Sequence, residues 1–330
     1  MKYLVTGATG FLGSHLVQAL ARGGHEVVRF SRSTGGDVLD EASVRVAATG
    51  CDGAFHCAGR VSRLQADAQE MYRVHVEGTR IVLDACRAAG LRRVVVASTS
   101  GTVAVSDDPN HISTESDSAP LGIIGRWPYY RAKLFAERAA LSRNRAGFEV
   151  VSVNPSLLLG PGDGRGSSTE DVRRVLEGEL PAVPSGGLSF VDARDAAEAM
   201  GLAMDRGRGG ERYLVGACNL TMAAFVGRLT RASGAKAPRF SLPRSRPLVR
   251  FGASWMNRLA PHVGLAGVDP ATIEMASYFW YVDSAKAESS LGFRPRDPNR
   301  TIHDTVEDLR ARGVVWPRVE AARPRTALGR

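Results

Sequence analysis

Within its first thirteen residues the chain passes from a β-type run into Thr6-Gly7-Ala8-Thr9-Gly10-Phe11-Leu12-Gly13, and an amphipathic stretch follows at once. A strand that enters a three-glycine turn and leaves as a helix opens a βαβ unit. Gly7 permits the tight turn, Gly10 lets the backbone approach a pyrophosphate, and Gly13 allows close packing of helix on strand. Free N–H groups at the start of that helix, with its dipole, then hold the anion beside Thr9, Phe11 and Leu12.

The alternation continues along the chain. β-type runs at 3–6, 26–30, 53–57, 93–97 and 149–154 are separated by helical spacing at 12–22, 66–89 and 129–144. This pattern predicts an α/β fold, a Rossmann-type doubly wound parallel sheet covered on both faces. Only 31–36 link the second strand to Asp37, so the helix usual there is expected to be missing or vestigial. After Pro155 the rhythm loosens. A glycine-rich loop at 159–167 precedes a helix near 170–180, a β-like stretch at 188–191, a helix at 193–204, a strand at 212–215 and a helix at 222–233. The domains read as 1–155 for a dinucleotide-binding unit, with returning segments near 188–233. A smaller, mixed substrate unit takes 156–187 and 234–315, and 316–330 is a flexible basic tail. The stretch 248–259 gathers Leu248, Phe251, Trp255, Met256 and Leu259 on one helical face. It reads as a helix docked on its own domain, with a substrate lid or a membrane-surface helix as the other readings.

Charge and composition exclude several classes. The net charge is +9, but the basic residues are scattered rather than clustered, which argues against nucleic acid as a partner. Cys51, Cys57, Cys86 and Cys218 form no CxxC pair and no metal spacing, so they read as small hydrophobes in a reducing compartment. No run of 18 apolar residues and no signal-like opening is present, and a cytoplasmic enzyme is expected. No metal is expected.

Tyr129 and Lys133 stand four residues apart in Tyr129-Tyr130-Arg131-Ala132-Lys133, one helical turn, so they share a face. A phenol is a poor acid–base at neutral pH, and a neighbouring ammonium together with an oxidised nicotinamide is expected to lower its pKa. Lys133 is one of four lysines, with Lys2, Lys236 and Lys286, in a chain with 43 Lys and Arg, which gives its position weight. Tyr130 lacks such a partner, because its fourth neighbour is Leu134. At the tip of the second strand, Ser31 and Arg32 stand where NAD sites place a carboxylate, and they suit a 2′-phosphate. NADP is therefore expected ahead of NAD.

The GxxGxxG spacing and the Tyr-x-x-x-Lys pair together resemble the extended short-chain dehydrogenase/reductase family, and more closely the branch containing dihydroflavonol reductases and 3β-hydroxysteroid dehydrogenases. The resemblance runs from Met1 to about residue 315. It implies that Asp37 and Val38, in Gly36-Asp37-Val38, lie by the adenine, and that Cys57-Ala58-Gly59 ends the strand beneath the dinucleotide. Aligning Gly101-Thr102-Val103 with the family's Gly-Thr-Val puts Thr99 on the catalytic hydroxyl, with Ser100 the alternative. Asn154-Pro155-Ser156 resembles the loop beside the nicotinamide, and Phe190-Val191-Asp192-Ala193-Arg194-Asp195 a structural element. One departure stands out: His75 occupies the family's Asn position in Val74-His75-Val76-Glu77-Gly78-Thr79, and structural compensation is expected there. A homodimer is common in the family. The implied activity is NAD(P)H-dependent reduction of a carbonyl, or oxidation of the alcohol, on a largely apolar small molecule. The apolar Leu157-Leu158-Leu159 favours this over the alternative, a nucleotide-sugar epimerase or dehydratase with tightly held NAD. A non-enzymatic binding protein would be expected to lose Tyr129 or Lys133.

Overall fold

The computed structural model describes residues 1–180, 182–238, 240–242 and 270–316. The stretch 248–259 and the tail after Trp316 lie outside the described residues. Lys2–Thr6 (β1) leads through the glycine turn into Phe11–Arg22 (α1), followed by Glu26–Phe30 (β2), Glu41–Ala48 (α2) and Gly53–His56 (β3). Ala68–Tyr72 (α3) and Gly78–Ala88 (α4) are joined by a π-helical turn at Arg73–Glu77, and Arg93–Ala97 (β4), Leu121–Ile124 (α5), Pro128–Leu141 (α6) and Glu149–Pro155 (β5) follow. Beyond them come Leu157–Leu159 (β6), Glu170–Leu176 (α7), Ala182–Val183 (β7), Gly187–Asp192 (β8), Ala193–Arg206 (α8) and Arg212–Val215 (β9). The remaining elements are Cys218–Thr221 (β10), Met222–Ser233 (α9), Phe240–Ser241 (β11), Pro270–Met275 (α10), Phe279–Trp280 (β12) and Pro298–Ala311 (α11).

The large sheet runs β2-β1-β3-β4-β5-β9, and every pairing in it is parallel. Its strands alternate by pleat, yet both sets are buried. Val5, Phe55, Val95 and Val151 pack with residues of α1 and α8, while Leu4, Ala54, Val94 and Val150 pack with residues of α2 and α4. Helices on both faces explain why the strands read as continuous apolar runs. The small sheet is mixed. Its spine is β8, paired antiparallel by β10 and parallel by β12 along 187–188 and by β6 along 190–192. A short parallel pair, β7 with β11, stands apart from it. Of the stretch 188–233, α8 packs against α1 and β9 closes the large sheet, while β8, β10 and α9 belong to the small one with α7 and α11.

The short link after β2 is a single 3-10 turn at Arg32–Thr34, but a crossover helix does follow Asp37. This α2 has Asp40 as its N-cap, accepting from the amides of Ala42 and Ser43. With only eight residues and Val44 and Ala48 buried, it carries too little apolar periodicity to be read from sequence. Among the described residues no helix is long and apolar enough to cross a membrane.

Candidate active site

The glycine turn is built as its sequence requires. Gly7 has φ +68°, and a Cβ there would lie 2.6 Å from the Ala58 nitrogen, because β1 and β3 are neighbours. A Cβ on Gly13 would lie 2.1 Å from the Gly7 carbonyl oxygen. At the helix start Gly10 is the N-cap and supplies no side-chain bond, so the first N–H groups of α1 remain for an anion. The turn fits a pyrophosphate on these grounds.

At the tip of β2 the hydroxyls cluster. Thr9 Oγ1 and Ser33 Oγ are 3.0 Å apart, as are Ser31 Oγ and Ser33 Oγ, and Ser31 Oγ lies 3.1 Å from Thr34 Oγ1. Arg32, exposed at this tip, lines the cleft described next. Asp37 lies on the surface, its carboxylate accepting from the Leu39 amide at 3.0 Å, and Val38 is packed into the core.

One cleft of about 1220 Å³ brings the two halves of the sequence together. Thr9, Gly10, Phe11, Leu12 and Arg32 line it, as do Cys57, Gly59, Pro155 and Ser156. Tyr129, Lys133, Thr99 and Ser100 open onto the same space. Gly7, Gly13, Ser31, Asp37, Val38 and Ala58 do not line it; Gly7, Gly13 and Ala58 instead shape the turn by their close approach.

The catalytic candidates sit on α6 and on the turn after β4. Pro128 at the first helical position starts α6, so Tyr129 and Lys133 fall in its first turns. Lys133 Nζ donates to the Ala97 carbonyl at 2.8 Å, tying α6 to β4. Thr99 caps the turn Ser100–Thr102, its Oγ1 accepting from the Gly101 amide at 3.3 Å. That bond occupies a lone pair and leaves the Thr99 proton to donate. Gly101 is required by contact: a Cβ there would meet the Tyr130 ring at 2.4 Å.

Enclosure sets the charge states. Burial, and next the neighbouring Tyr130, push the Tyr129 phenol above its ordinary value. The lowering expected from Lys133 is not met in the chain itself, where both causes raise the phenol. Burial pulls the Lys133 ammonium down to about 8, opposed by Cys57 and Glu137. His56 and His75 are both lowered to about 3 by burial first and Lys133 second, and so are neutral. His56 bridges Thr6 Oγ1 (2.7 Å) and Thr79 Oγ1 (3.0 Å), a core role. Burial pushes the Cys57 thiol up to about 12, which disarms it as a nucleophile. His75 sits in the π-helical turn, with Nε2 2.8 Å from the Arg60 carbonyl and its ring edge-on to Tyr129 at 5.7 Å. Among the described residues no group of three His, Cys, Asp or Glu side chains is arranged to hold a metal.

Sequence reasoning missed much of the far wall. Phe225 and Val226 of α9, Ile273 and Met275 of α10, and Trp280 of β12 all line the cleft, with Leu157 and Leu158. Trp280 stacks on Trp127 at 5.7 Å and tilts against Tyr130 at 4.8 Å. The run Tyr278-Phe279-Trp280-Tyr281, in a chain with 7% aromatic residues, was the available signal.

A family model described as NAD dependent epimerase/dehydratase matches residues 3–216. A Synechocystis sp. protein provisionally named a dihydroflavonol 4-reductase is 30% identical over 334 residues, covering 95% of this chain and 96% of that protein. Sterol demethylase protein B of Methylococcus capsulatus is 31% identical over 336 residues, covering 96% of this chain and all of that one (100%). Among solved structures, that of gox2253 superimposes with a TM-score of 0.78 at 25% identity, covering 95% of this chain and 99% of that one.

Proposed function

The chain belongs to the NAD dependent epimerase/dehydratase family, and we propose that it is a reductase of apolar ketones that prefers NADPH, or the corresponding alcohol dehydrogenase in reverse. One observation carries this reading: Tyr129 and Lys133 share a cleft with the pyrophosphate turn, and part of its wall is the apolar group Leu157, Leu158, Phe225 and Trp280, with Arg63 and Asp171 also lining it. Such a wall suits a hydrophobic substrate. The relatives named for dihydroflavonol reduction and sterol demethylation agree with it, since both names describe molecules built of fused or linked rings.

The turn at Gly7–Gly13 would hold the pyrophosphate, and Arg32 with the Thr9, Ser31 and Ser33 hydroxyls would hold a 2′-phosphate. When bound, the reduced nicotinamide supplies the hydride. Tyr129, its phenol kept protonated by enclosure, donates the proton to the carbonyl oxygen. Thr99, or Ser100 beside it, donates a hydrogen bond to the same oxygen and steadies the charge that develops there. Lys133 keeps a positive charge beside the phenol and is available to the ribose hydroxyls.

The test incubates the purified protein with NADPH and a panel of ketones, enones and UDP-sugars. Stoichiometric NADPH consumption with an apolar ketone is expected. Redox-neutral conversion of a UDP-sugar, with no net consumption, would establish the epimerase or dehydratase reading instead.

A further inference from the structure

Glu137 lies on α6 one turn beyond Lys133 and two beyond Tyr129, and the chemistry proposed above makes no use of it. Its side chain is fully enclosed, and a buried carboxylate persists only where its partners compensate the lost water. Those partners come from two strands and from the segment that follows a third. Oε2 accepts from the Ser98 hydroxyl, from Thr102 Oγ1 at 3.1 Å and from Asn154 Nδ2 at 2.6 Å, while Oε1 faces the Arg212 guanidinium at 3.2 Å. Ser98 directly follows β4, Thr102 ends the turn after it, Asn154 stands near the end of β5, and Arg212 opens β9.

Two of these donors, Asn154 and Thr102, also lie against the main chain of Thr99, the residue that carries the candidate hydroxyl. Asn154 Nδ2, with two N–H groups, lies 3.1 Å from the main-chain carbonyl oxygen of Thr99, and Thr102 Oγ1, whose single proton serves either this oxygen or Glu137, lies 3.0 Å from it. Asn154 is itself oriented by Ser152, whose hydroxyl donates to its Oδ1 at 2.7 Å. Three donors converging on one oxygen, with a guanidinium facing the other, match a carboxylate; an amide in its place could keep its oxygen toward the three but would turn its NH2 group toward Arg212. A plain tie between strands could be made of apolar side chains at less cost.

We propose that Glu137 is a positioning residue, a buried carboxylate that locks the turn 98–102 to α6 so that the Thr99 or Ser100 hydroxyl and the Tyr129–Lys133 face meet the substrate as one rigid unit. The proposal rests on the reductase reading. It is tested with Glu137→Gln, using a ketone from the panel. The expected result is a fall in kcat of tenfold or more, with KM and NADPH affinity within twofold of the parent. Combined with Thr99→Val or Ser100→Ala, whichever alone costs more, the same change is expected to cost no more than twofold, because there is no longer a hydroxyl to position. An equal loss in parent and double variant, or an unchanged kcat, overturns it. If Glu137→Gln does not fold, as judged by its circular dichroism and Tm, Ser98→Ala removes one donor and keeps the carboxylate. A loss of about threefold that vanishes beside Thr99→Val or Ser100→Ala is then expected, and no loss overturns the proposal.

Hydrogen exchange gives a readout without turnover. In whichever variant folds, the amides of Thr102 and Val103 should exchange at least tenfold faster, with β1–β3 unchanged, and unaltered exchange there overturns the proposal. A parent protein that consumes no NADPH, or a Tyr129→Phe variant as active as the parent, would instead mark the failure of the reductase reading, and the exchange measurement would still decide for Glu137.

Discussion

Tyr129 is a weak acid that its surroundings make weaker: burial, then Tyr130, raises its phenol above the ordinary value. In the proposed reduction this is an asset, because the group assigned to give the proton is kept protonated. Tyr129→Phe retains the ring and removes that proton; kcat is expected to fall at least about a hundredfold with NADPH still bound, seen by turnover and by fluorescence titration. Lys133 behaves oppositely to Tyr129, since burial lowers it to about 8. Below that pH it carries the charge the site uses, and above it the charge is lost, so kcat/KM for reduction should decline as pH rises through about 8. The linked effect on stability has the other sign. Between about 8 and the ordinary 10.5 the unfolded chain holds the extra proton, so Lys133 favours the fold increasingly as pH rises. A kcat/KM profile flat to pH 10 would separate Lys133 from the chemistry. Arg32 was read from the missing carboxylate at the tip of β2. Of its neighbouring hydroxyls, those of Thr9 and Ser31 each lie 3.0 Å from that of Ser33. Arg32→Ala is expected to weaken NADPH by about 1.5–3 kcal/mol and to leave NADH nearly unchanged; tighter NADH than NADPH in the parent would refute the preference.

The elements divide by how much of their cause is local. β1, its glycine turn and α1 were legible because each step follows from neighbours in sequence: apolar run, glycines, amphipathic period. The 14 residues of α6 were legible for the same reason, with Pro128 marking the start. The helical run at 66–89 was not read in full, because nothing in Arg73-Val74-His75-Val76-Glu77 signals the π-helical turn found there. That turn carries His75, in place of the family's Asn, and such turns are frequent at functional sites. His75 is neutral, and its Nε2 meets the Arg60 carbonyl, so it holds the loop after β3 much as an amide would. His75→Asn should therefore change kcat by no more than the net worth of one hydrogen bond, about 0.5–1.5 kcal/mol. A far larger loss, with Tm unchanged, would make the imidazole part of the reaction. The cleft wall from α9, α10 and β12 was illegible for a different reason: its residues come from two segments far from Tyr129 in sequence, and only the fold brings them to it.

The two halves of the molecule are joined in two physically different ways. Between β8, α8 and α11 lies an ion network with buried carboxylates and partly exposed guanidinium groups. Asp192, fully buried, pairs with Arg194, which also reaches Asp304, and Arg296 holds Asp195 at 2.6 Å. Across the cleft the join is exposed. Arg63, on the loop after β3, clasps Asp171 of α7 at 2.7 and 3.2 Å and lies 3.3 Å from Thr272 of α10. The side chains of Arg63 and Asp171 are 41% and 44% exposed, and a pair so open contributes only about 0–1 kcal/mol to stability. Yet all three residues line the cleft, so the clasp bears on how substrate enters and leaves. Arg63→Ala is expected to lower Tm by no more than about 4 °C, following from that small energy in a chain of this size. It should raise KM for the ketone by roughly three- to tenfold, up to about 1.4 kcal/mol, with kcat preserved or increased as product leaves more freely. Asp192→Ala, by contrast, removes a fully buried carboxylate that both caps α8 and pairs with Arg194, and should cost about 1–3 kcal/mol of stability. If Arg63→Ala unfolds the protein as readily as Asp192→Ala, and KM stays at the parent value, the cleft pair is a structural tie and the mouth does not move.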